Sequence, residues 1–448
     1  MAAMKTTPEN AIAVAPPFAG LRRIVGNAAS ILATDVVNRG TTFVLYALVA
    51  RYLGAFAFGQ LSLALTLFYT FQVLAAAGLK TLTVREIARD KAATSSFLVN
   101  GSVTVAATCA GAIAVLSLFV RVMGYSRPTA WLILLLSLGL LPAALTMLME
   151  AVFQAWERMP LIAVANVPAN AVKAGAALLV VSRGASLNEI AAVILLTQTA
   201  IAVVEWQLVR RHIVKPHGRF DWQFAVRMIQ SSVPFLGIDV TIAVWSSIQI
   251  VLLSALASET EVGLYNAAAQ VLVPIGLLFQ SLTQTLFPIM CRRFEADCRD
   301  LRQIAERLLA CLLAAALAFS AVLFVVADKV LLLLYRGDKF HGAAPVLRIL
   351  VWSVVFSAIT SALGQVLLAG RREVVTLRIV AVNAVVSLTL GVLLIERLGP
   401  LQGAPLATVI AGLVNVIQHY IPVSRLLGGI SMRRAVWSPA HSEAGTRC

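Results

Sequence analysis

Apolar stretches of membrane-spanning length recur along almost the whole chain, and they constrain its fold more than any other feature. Twelve such stretches can be counted over the 448 residues. A transmembrane helix needs about 20 mostly apolar residues, so each stretch is long enough to cross a bilayer. The chain is 60% hydrophobic and only 13% charged, whereas a soluble domain carries about 25% charged residues. The sequence therefore predicts an all-α integral membrane protein.

The twelve predicted spans form two groups of six, with polar segments between the groups and at both ends. We expect an N-terminal tail at 1–23, a six-helix bundle at 24–210, a basic linker at 211–231, a second six-helix bundle at 232–424 and a C-terminal tail at 425–448. The predicted spans are 24–50, 57–80, 97–121, 129–156, 161–182, 187–210, 232–256, 263–290, 304–327, 345–369, 374–395 and 402–424. Most connections are short; the longer ones are 80–96, 210–231, 290–303 and 328–344.

The net charge of +15 would suggest a nucleic-acid partner in a soluble protein. Here the basic residues mostly lie in the connections. If both termini are cytoplasmic, 25 of the 36 basic residues fall on the cytoplasmic side and nine on the outer side. Such a bias sets the orientation of membrane proteins, and the basic loops meet anionic membrane lipids. We therefore expect cytoplasmic termini and no nucleic-acid binding.

The two groups of spans resemble each other. A shift of 204 positions places Asp35 on Asp239 and Gly59 on Gly263. A charged residue that recurs inside corresponding spans is a stronger match than an apolar one. An even number of spans precedes the second group, so both halves have the same orientation. Two parallel repeats around an axis normal to the membrane are typical of transporters with a cavity between halves.

Patterns of enzymes and pumps are missing. The sequence has no GxxxxGK[ST] loop, no HExxH and no GxSxG, which argues against a nucleotide-driven pump, a zinc protease and a serine hydrolase. Its five cysteines form no CxxC motif, so no metal site follows. We predict a transporter without a cofactor, catalytic residue or metal.

Charges within the first span are the strongest candidates for a binding site. Asp35 and Arg39 are four residues apart, with Asn38 beside them, so they share one helical face. They could form a self-neutralised structural pair. Alternatively, Arg39 points into a cavity and binds an anionic substrate, because its guanidinium engages phosphate oxygens and stays protonated. Asp35 would then hold the Arg39 side chain or modulate its binding.

Further candidates lie in later spans. Lys173 lies mid-span, and we prefer a second cationic contact over a side chain that reaches the interface. Asp239 could pair with Arg39, bind a proton or Na⁺, or make a structural bond between helices. Amides give spans seven and eight a polar side, which suits either helix packing or sugar hydroxyls. The amides retained as candidates are Gln249, Asn266 and Gln270.

Several segments together resemble the Wzx-type polysaccharide flippases. Ala50-Arg-Tyr-Leu-Gly-Ala-Phe-Ala-Phe-Gly-Gln-Leu-Ser-Leu-Ala64 is similar to the turn between helices 1 and 2 of that family. The others are Val84-Arg-Glu-Ile-Ala-Arg89, Val262-Gly-Leu-Tyr-Asn-Ala-Ala268, Leu286-Phe-Pro-Ile-Met290 and the segment Leu334–Leu347. The resemblance covers roughly residues 22–425. The family shares a superfamily with multidrug/toxic-compound extrusion (MATE) antiporters and the lipid II flippase MurJ.

The resemblance implies two six-helix lobes that form a V around a central cavity. It implies that a polyprenyl-pyrophosphate-linked oligosaccharide moves across a bacterial inner membrane by alternating access, for O-antigen, capsule or exopolysaccharide synthesis. Coupling to H⁺ or Na⁺ and a polysaccharide polymerase as partner are further expectations. Arg39 and Lys173 lie outside the matched motifs, so their roles rest on position alone. The rival interpretations are a cation-coupled drug exporter of MATE type and a membrane glycosyltransferase or polymerase.

Overall fold

The first two predicted spans form a helical hairpin that turns at Gly54. In the computed structural model, helix α1 covers Pro17–Ala76 and is broken at Gly54, whose φ of 85° and ψ of −175° favour glycine. The ring centroids of Tyr46 and Phe58 are 5.3 Å apart, although a continuous helix would separate these positions by about 18 Å. The chain therefore reverses at Gly54 and gives two antiparallel limbs.

The remaining chain is also helical. The structure describes residues 17–184, 186–296, 298–335, 340–370 and 372–429, and all regular secondary structure within these ranges is helix. Most of both predicted tails and residues 336–339 of the outer segment lie outside this description. The helices after α1 are α2 (Leu79–Arg89), α3 (Thr94–Met123), α4 (Arg127–Ser137), α5 (Leu140–Ala155), α6 (Pro160–Ser182), α7 (Leu187–His212), α8 (Trp222–Leu256), α9 (Glu259–Ala296), α10 (Cys298–Tyr335), α11 (Ala343–Ala369), α12 (Glu373–Leu398) and α13 (Pro400–Leu426).

The helices are those of a multi-pass membrane protein. Eleven segments of the described chain are long and apolar enough to cross a membrane. The first of them, Ala33–Ala76, has 44 residues and contains the turn at Gly54, so it supplies two crossings of a bilayer about 30 Å thick. Large apolar side chains are widely exposed, for example Val325 at 75% and Leu196 at 68%, as expected for surfaces in contact with lipid. The predicted membrane class and the count of about twelve spans are confirmed.

The helices differ from the predicted spans in two places. The connection predicted at 80–96 contains α2, an amphipathic helix that buries Leu79, Leu82 and Ile87. This helix escapes a search for 20-residue apolar windows because only one of its faces is apolar. The seventh span begins at Trp222 rather than 232, because Asp221 caps the backbone N–H groups of the first turn of α8.

Two contact zones join the first half of the chain (α1–α7) to the second half (α8–α13). We call the first zone the Gly54 zone; it joins the start of the second limb of α1 to the start of α9. Here Gly59 of α1 crosses Gly263 of α9. A Cβ atom on Gly59 would collide with the backbone of Glu259, and one on Gly263 with the backbone of Ala55. Only two glycines allow this approach of backbones. The two positions that the 204-residue shift relates are thus neighbours at the crossing.

Polar contacts reinforce the Gly54 zone. Ser62 accepts a 2.6 Å hydrogen bond from the Asn266 amide, and these two positions are also separated by 204 residues. Glu259 accepts from the Ser126 hydroxyl at 2.9 Å. The Tyr125 hydroxyl lies 2.8 Å from that of Ser254. Burial raises the pKa of the Tyr125 phenol, so the phenol stays protonated at neutral pH. These bonds close one end of the interface between the halves.

The second contact zone lies at the opposite end of the second limb of α1, where Gly78 and α2 meet the start of α8. We call it the Lys80 zone. A Cβ on Gly78 would lie 2.5 Å from the backbone nitrogen of Leu236 and 2.7 Å from the carbonyl oxygen of Ser232. The Arg85 guanidinium lies 5.4 Å from the ring centroid of Phe235, which adds a cation–π contact. The start of α8 is therefore held against α2. The division into two bundles with the predicted bounds stays a prediction.

Candidate substrate cavity

A cavity of about 520 Å³ lies between the two contact zones. This size is typical of sites for small organic ligands. The second half contributes α8 alone, and the first half contributes α1, α2 and one residue of α5. The lining residues are Thr66, Tyr69, Thr70, Val73, Ala76, Gly78, Lys80, Thr81 and Met147 from the first half, with Asp239, Ile242, Ala243, Ser246 and Ser247 from the second.

The lining combines hydroxyl groups with one cation and one anion. Lys80 Nζ lies 2.8 Å from Oε2 of Glu150 on α5, and the Lys80 side chain is one-third exposed (33%). An ammonium has three N–H donors, so this ion pair leaves two donors for a ligand. Asp239 is half-buried on α8. A ligand in this cavity would meet opposite charges on two helices that belong to different halves.

The predicted pair on α1 is not an ion pair. Asp35 and Arg39 are both exposed, and Asn38 is half-buried. Within the described residues, no ion pair joins Arg39 to Asp35 or to Asp239. The structure therefore shows neither the self-neutralised pair nor the pairing of Arg39 with Asp239 across the halves. Asp35, Asn38 and Arg39 also lie outside the cavity lining, and their role in substrate binding stays a prediction.

Lys173 is half-buried in α6 and lies outside this cavity lining. Its Nζ donates to Asn170 Oδ1 at 2.5 Å, one turn earlier on the same helix. Asn170 is buried at 2% exposure. An uncharged partner leaves the positive charge of Lys173 uncompensated by this bond. Its predicted role as a cationic contact is untested.

The three predicted amides lie in different places. Gln249 is buried and donates to the Ser387 hydroxyl at 3.1 Å, so it ties α8 to α12. Asn266 is buried in the Gly54 zone. Gln270 is half-buried on α9. None of the three lines the cavity, and the bonds of Gln249 and Asn266 fit the alternative in which amides hold helices together.

The Ser62–Asn266 bond yields a stability prediction. Ser62→Ala leaves the buried Asn266 amide without its acceptor, which costs about 1–3 kcal/mol. We expect a lower thermal unfolding midpoint in detergent. Ser117→Ala is the matched control, because the Ser117 hydroxyl bonds only to a carbonyl of its own helix. Equal midpoints for both variants would contradict a structural role of the bond.

Lys80 is the charged lining residue that sequence reasoning did not assign to the site. It is the last residue of the predicted second span, 57–80, and was counted among the basic residues of the cytoplasmic span ends and loops. A usable signal existed: Lys80 and Glu150 both lie at span ends predicted to be on the same side. Two opposite charges at the same depth can pair when their helices are neighbours. Sequence alone does not reveal which helices are neighbours.

Groups of three or more histidine, cysteine, aspartate or glutamate side chains that could hold a metal ion do not occur among the described residues.

Comparisons with known proteins identify the family and the fold. Residues 24–294 match the family model described as "Polysaccharide biosynthesis protein". No curated protein matches the sequence. Among solved structures, the lipid II flippase MurJ in an inward closed conformation has a TM-score of 0.70 at 14% identity, over 89% of this chain and 87% of MurJ.

Two further structures belong to the MOP superfamily. An inward-facing MATE multidrug resistance transporter has a TM-score of 0.66 at 16% identity, over 89% of this chain and 98% of that one. A transporter from Pyrococcus furiosus has a TM-score of 0.53 at 13% identity, over 88% of this chain and 96% of that one. The family match covers more than half of the chain. The protein therefore belongs to the polysaccharide biosynthesis protein family and has the fold of the MOP superfamily transporters MATE and MurJ.

Proposed function

We propose that this protein is a flippase that moves an oligosaccharide linked to a polyprenyl pyrophosphate across the bacterial inner membrane. The observation that carries the proposal is the cavity between two halves of the chain, with a contact zone at each end. A carrier of this kind opens one zone at a time. The family match supports a role in polysaccharide synthesis, and the MurJ-like fold fits a lipid-linked substrate.

The charge bias assigns the two zones to the two sides of the membrane. The Lys80 zone lies on the basic, cytoplasmic side, and the Gly54 zone faces outward. Both termini are then cytoplasmic. Substrate enters from the inner leaflet when Gly78 separates from α8. It leaves when the crossing of Gly59 and Gly263 opens.

The cavity supplies what a charged head group needs inside a bilayer. An unpaired charge in hydrocarbon is costly. Lys80 offers a cation to a pyrophosphate oxygen, and hydroxyls from Thr70, Ser246 and Tyr69 are suited to sugars. The polyprenyl tail stays in the lipid. The head group thus crosses without meeting hydrocarbon.

A reconstituted flipping experiment tests the proposal. Purified protein is placed in liposomes with a fluorescent polyprenyl-pyrophosphate sugar in both leaflets. A reducing agent then bleaches only the probe in the outer leaflet. The loss of the remaining fluorescence measures the exchange of probe between the leaflets. Faster bleaching of the inner pool than in protein-free liposomes is expected. Exchange at the protein-free rate in liposomes with correctly folded protein would reject the flippase function.

A cation exporter of MATE type is the second candidate, and Asp239 is the observation that favours it. A carboxylate in the lining can hold a cationic drug. The lining charges alone balance, with one lysine and one aspartate, and the family match favours the flippase. Resistance to cationic dyes on expression, together with unchanged surface glycan, would favour the exporter instead.

The two predicted cations outside the lining have their own test. If Arg39 and Lys173 contact the pyrophosphate at another stage of transport, Arg39→Ala and Lys173→Ala should each lower surface polysaccharide by about tenfold, the loss of about 1.4 kcal/mol of binding. Protein level in the membrane should stay the same. Immunoblotting and glycan staining measure both quantities. Normal export in both variants would remove these residues from the mechanism.

A further inference from the structure

Asp239 is a cavity-lining carboxylate that the proposed binding of a pyrophosphate at Lys80 does not explain. It is half-buried on α8 and faces the cavity. No hydrogen bond or ion pair joins its carboxylate to another described residue. A carboxylate that is partly removed from water is stabilised by a cation or by hydrogen-bond donors. Asp239 therefore favours a ligand that carries positive charge, whereas Lys80 favours an anion.

Asp239 and Lys80 lie at the same end of the cavity, on opposite halves of the chain. The two backbones approach closely at Gly78 and Leu236, where a Cβ on Gly78 would lie 2.5 Å from the Leu236 nitrogen. Lys80 follows Gly78 by two residues and Asp239 follows Leu236 by three, which is less than one helical turn. The charge of Lys80 also acts on Asp239. An anion bound to Lys80 therefore has a carboxylate on the facing helix.

The lining hydroxyls are better acceptors than donors. Those of Thr70, Ser246 and Ser247 donate to backbone carbonyls of their own helices, at 2.8, 2.9 and 2.9 Å. A hydroxyl has one proton and two lone pairs, so these groups present lone pairs to a ligand. Pyrophosphate oxygens are acceptors as well. The three hydroxyls therefore do not bind a bare pyrophosphate while these bonds are made.

The charges near Lys80 do not neutralise a pyrophosphate. Lys80 already pairs with Glu150 at 2.8 Å, and Asp239 adds a second carboxylate. A polyprenyl-pyrophosphate sugar carries a negative charge on each of its phosphates. The loaded cavity would hold excess negative charge, which is costly inside a membrane. A cation that arrives with the substrate would remove this excess.

A divalent metal ion fits these groups. Mg²⁺ takes oxygen ligands, keeps several waters, and is commonly bound by one or two carboxylates together with the phosphates of a substrate. Asp239 supplies the carboxylate, and the pyrophosphate supplies further oxygens. The lone pairs of the lining hydroxyls can accept hydrogen bonds from metal-bound waters. A site of this type needs no cluster of three acidic or histidine side chains.

We propose that the cavity binds the pyrophosphate as its Mg²⁺ complex, with Lys80 on the pyrophosphate and Asp239 on the metal ion, an inference that rests on the proposed flippase function. The metal ion arrives with the substrate and leaves with it. Because Lys80 and Asp239 belong to different halves, the complete complex joins α2 to α8 across the cavity. A pyrophosphate without the metal ion is repelled by Asp239.

Binding with and without Mg²⁺ tests the proposal. Fluorescent farnesyl pyrophosphate is titrated into the full protein in nanodiscs of uncharged lipid, with MgCl₂ or with EDTA at equal ionic strength. Wild-type protein should bind about tenfold more tightly with Mg²⁺, the effect of one contact between charged groups. Asp239→Asn should lose this gain. In EDTA it should bind more tightly than wild type, because the repulsion is removed.

Glu189→Gln is the matched control, because Glu189 is an exposed acid on α7 outside the cavity lining. It should show the wild-type gain. An equal gain from Mg²⁺ in wild type and Asp239→Asn would overturn the role of Asp239. Equal wild-type binding in both solutions would reject the metal ion and leave the flippase function intact. If wild-type protein binds no probe in either solution, the pyrophosphate-binding cavity itself is rejected.

Electron paramagnetic resonance gives a test on wild-type protein alone, which decides the proposal even if Asp239→Asn does not fold. Mn²⁺ replaces Mg²⁺, because both ions suit carboxylate and water ligands. We expect about one additional protein-bound Mn²⁺ per bound farnesyl pyrophosphate, with hyperfine coupling to phosphorus. Bound probe without additional bound Mn²⁺ would overturn the proposal.

Discussion

Gly59→Ala is expected to destabilise the protein and to stop transport. A methyl group at this position collides with the backbone of Glu259, and a backbone cannot move aside as a flexible side chain can. Overpacking of this kind costs about 1–3 kcal/mol. The Gly54 zone must also re-form in each cycle, so a crossing held apart leaves the outer side open. Gly263→Ala should have the same effect, because its Cβ collides with the backbone of Ala55.

Gly111→Ala is the matched control for this prediction. Gly111 lies inside α3, and a Cβ there meets nothing within 4 Å. Alanine is the better helix former by about 1 kcal/mol, so this variant should unfold at the wild-type temperature or above. Thermal unfolding in detergent and surface glycan staining measure both effects. If Gly59→Ala and Gly111→Ala gave the same midpoint and the same glycan level, the close crossing of the halves would be wrong.

Sequence reasoning predicted the membrane class because hydrophobic length is a local property. The Gly54 turn could be placed because a glycine separates two apolar runs. Helix α2 was missed because amphipathic helices do not appear in long apolar windows. The internal repeat also indicated corresponding positions in the two halves. A shift of 204 residues related Gly59 to Gly263, and the structure brings these two positions together.

The candidate site was harder to predict, since a charge in a span does not reveal which surface it faces. Asp35 and Arg39 share a helical face, yet they do not pair and they lie outside the cavity lining. Asp239 does line the cavity. Asn266 is a polar residue of the type that binds sugars, but it bonds to Ser62 across the interface. Whether a polar side chain lines the cavity or bonds to another helix depends on how its helix is rotated and on which helices are adjacent. Both are properties of the packed bundle.

Lys80→Ala is expected to lower glycan export more than any other change in the cavity lining. Lys80 is the cation among the lining residues. A hydrogen bond to a charged group contributes about 1.5–3 kcal/mol, so its loss should weaken binding of the pyrophosphate by about tenfold to a hundredfold. Lys80→Arg retains the charge and should preserve part of the activity. Flipping in liposomes and binding of farnesyl pyrophosphate measure the two effects.

Glu150→Gln separates a binding role of Lys80 from a structural one. Both Lys80→Ala and Glu150→Gln remove the 2.8 Å ion pair between α2 and α5. If the ion pair only fixes these helices, the two variants should lose equal stability and equal binding. If Lys80 binds the anion, Glu150→Gln keeps binding because the cation remains and is no longer shared with a carboxylate. Loss of binding in Lys80→Ala alone, at equal thermal stability, therefore assigns the anion to Lys80, and equal loss in both variants rejects that assignment.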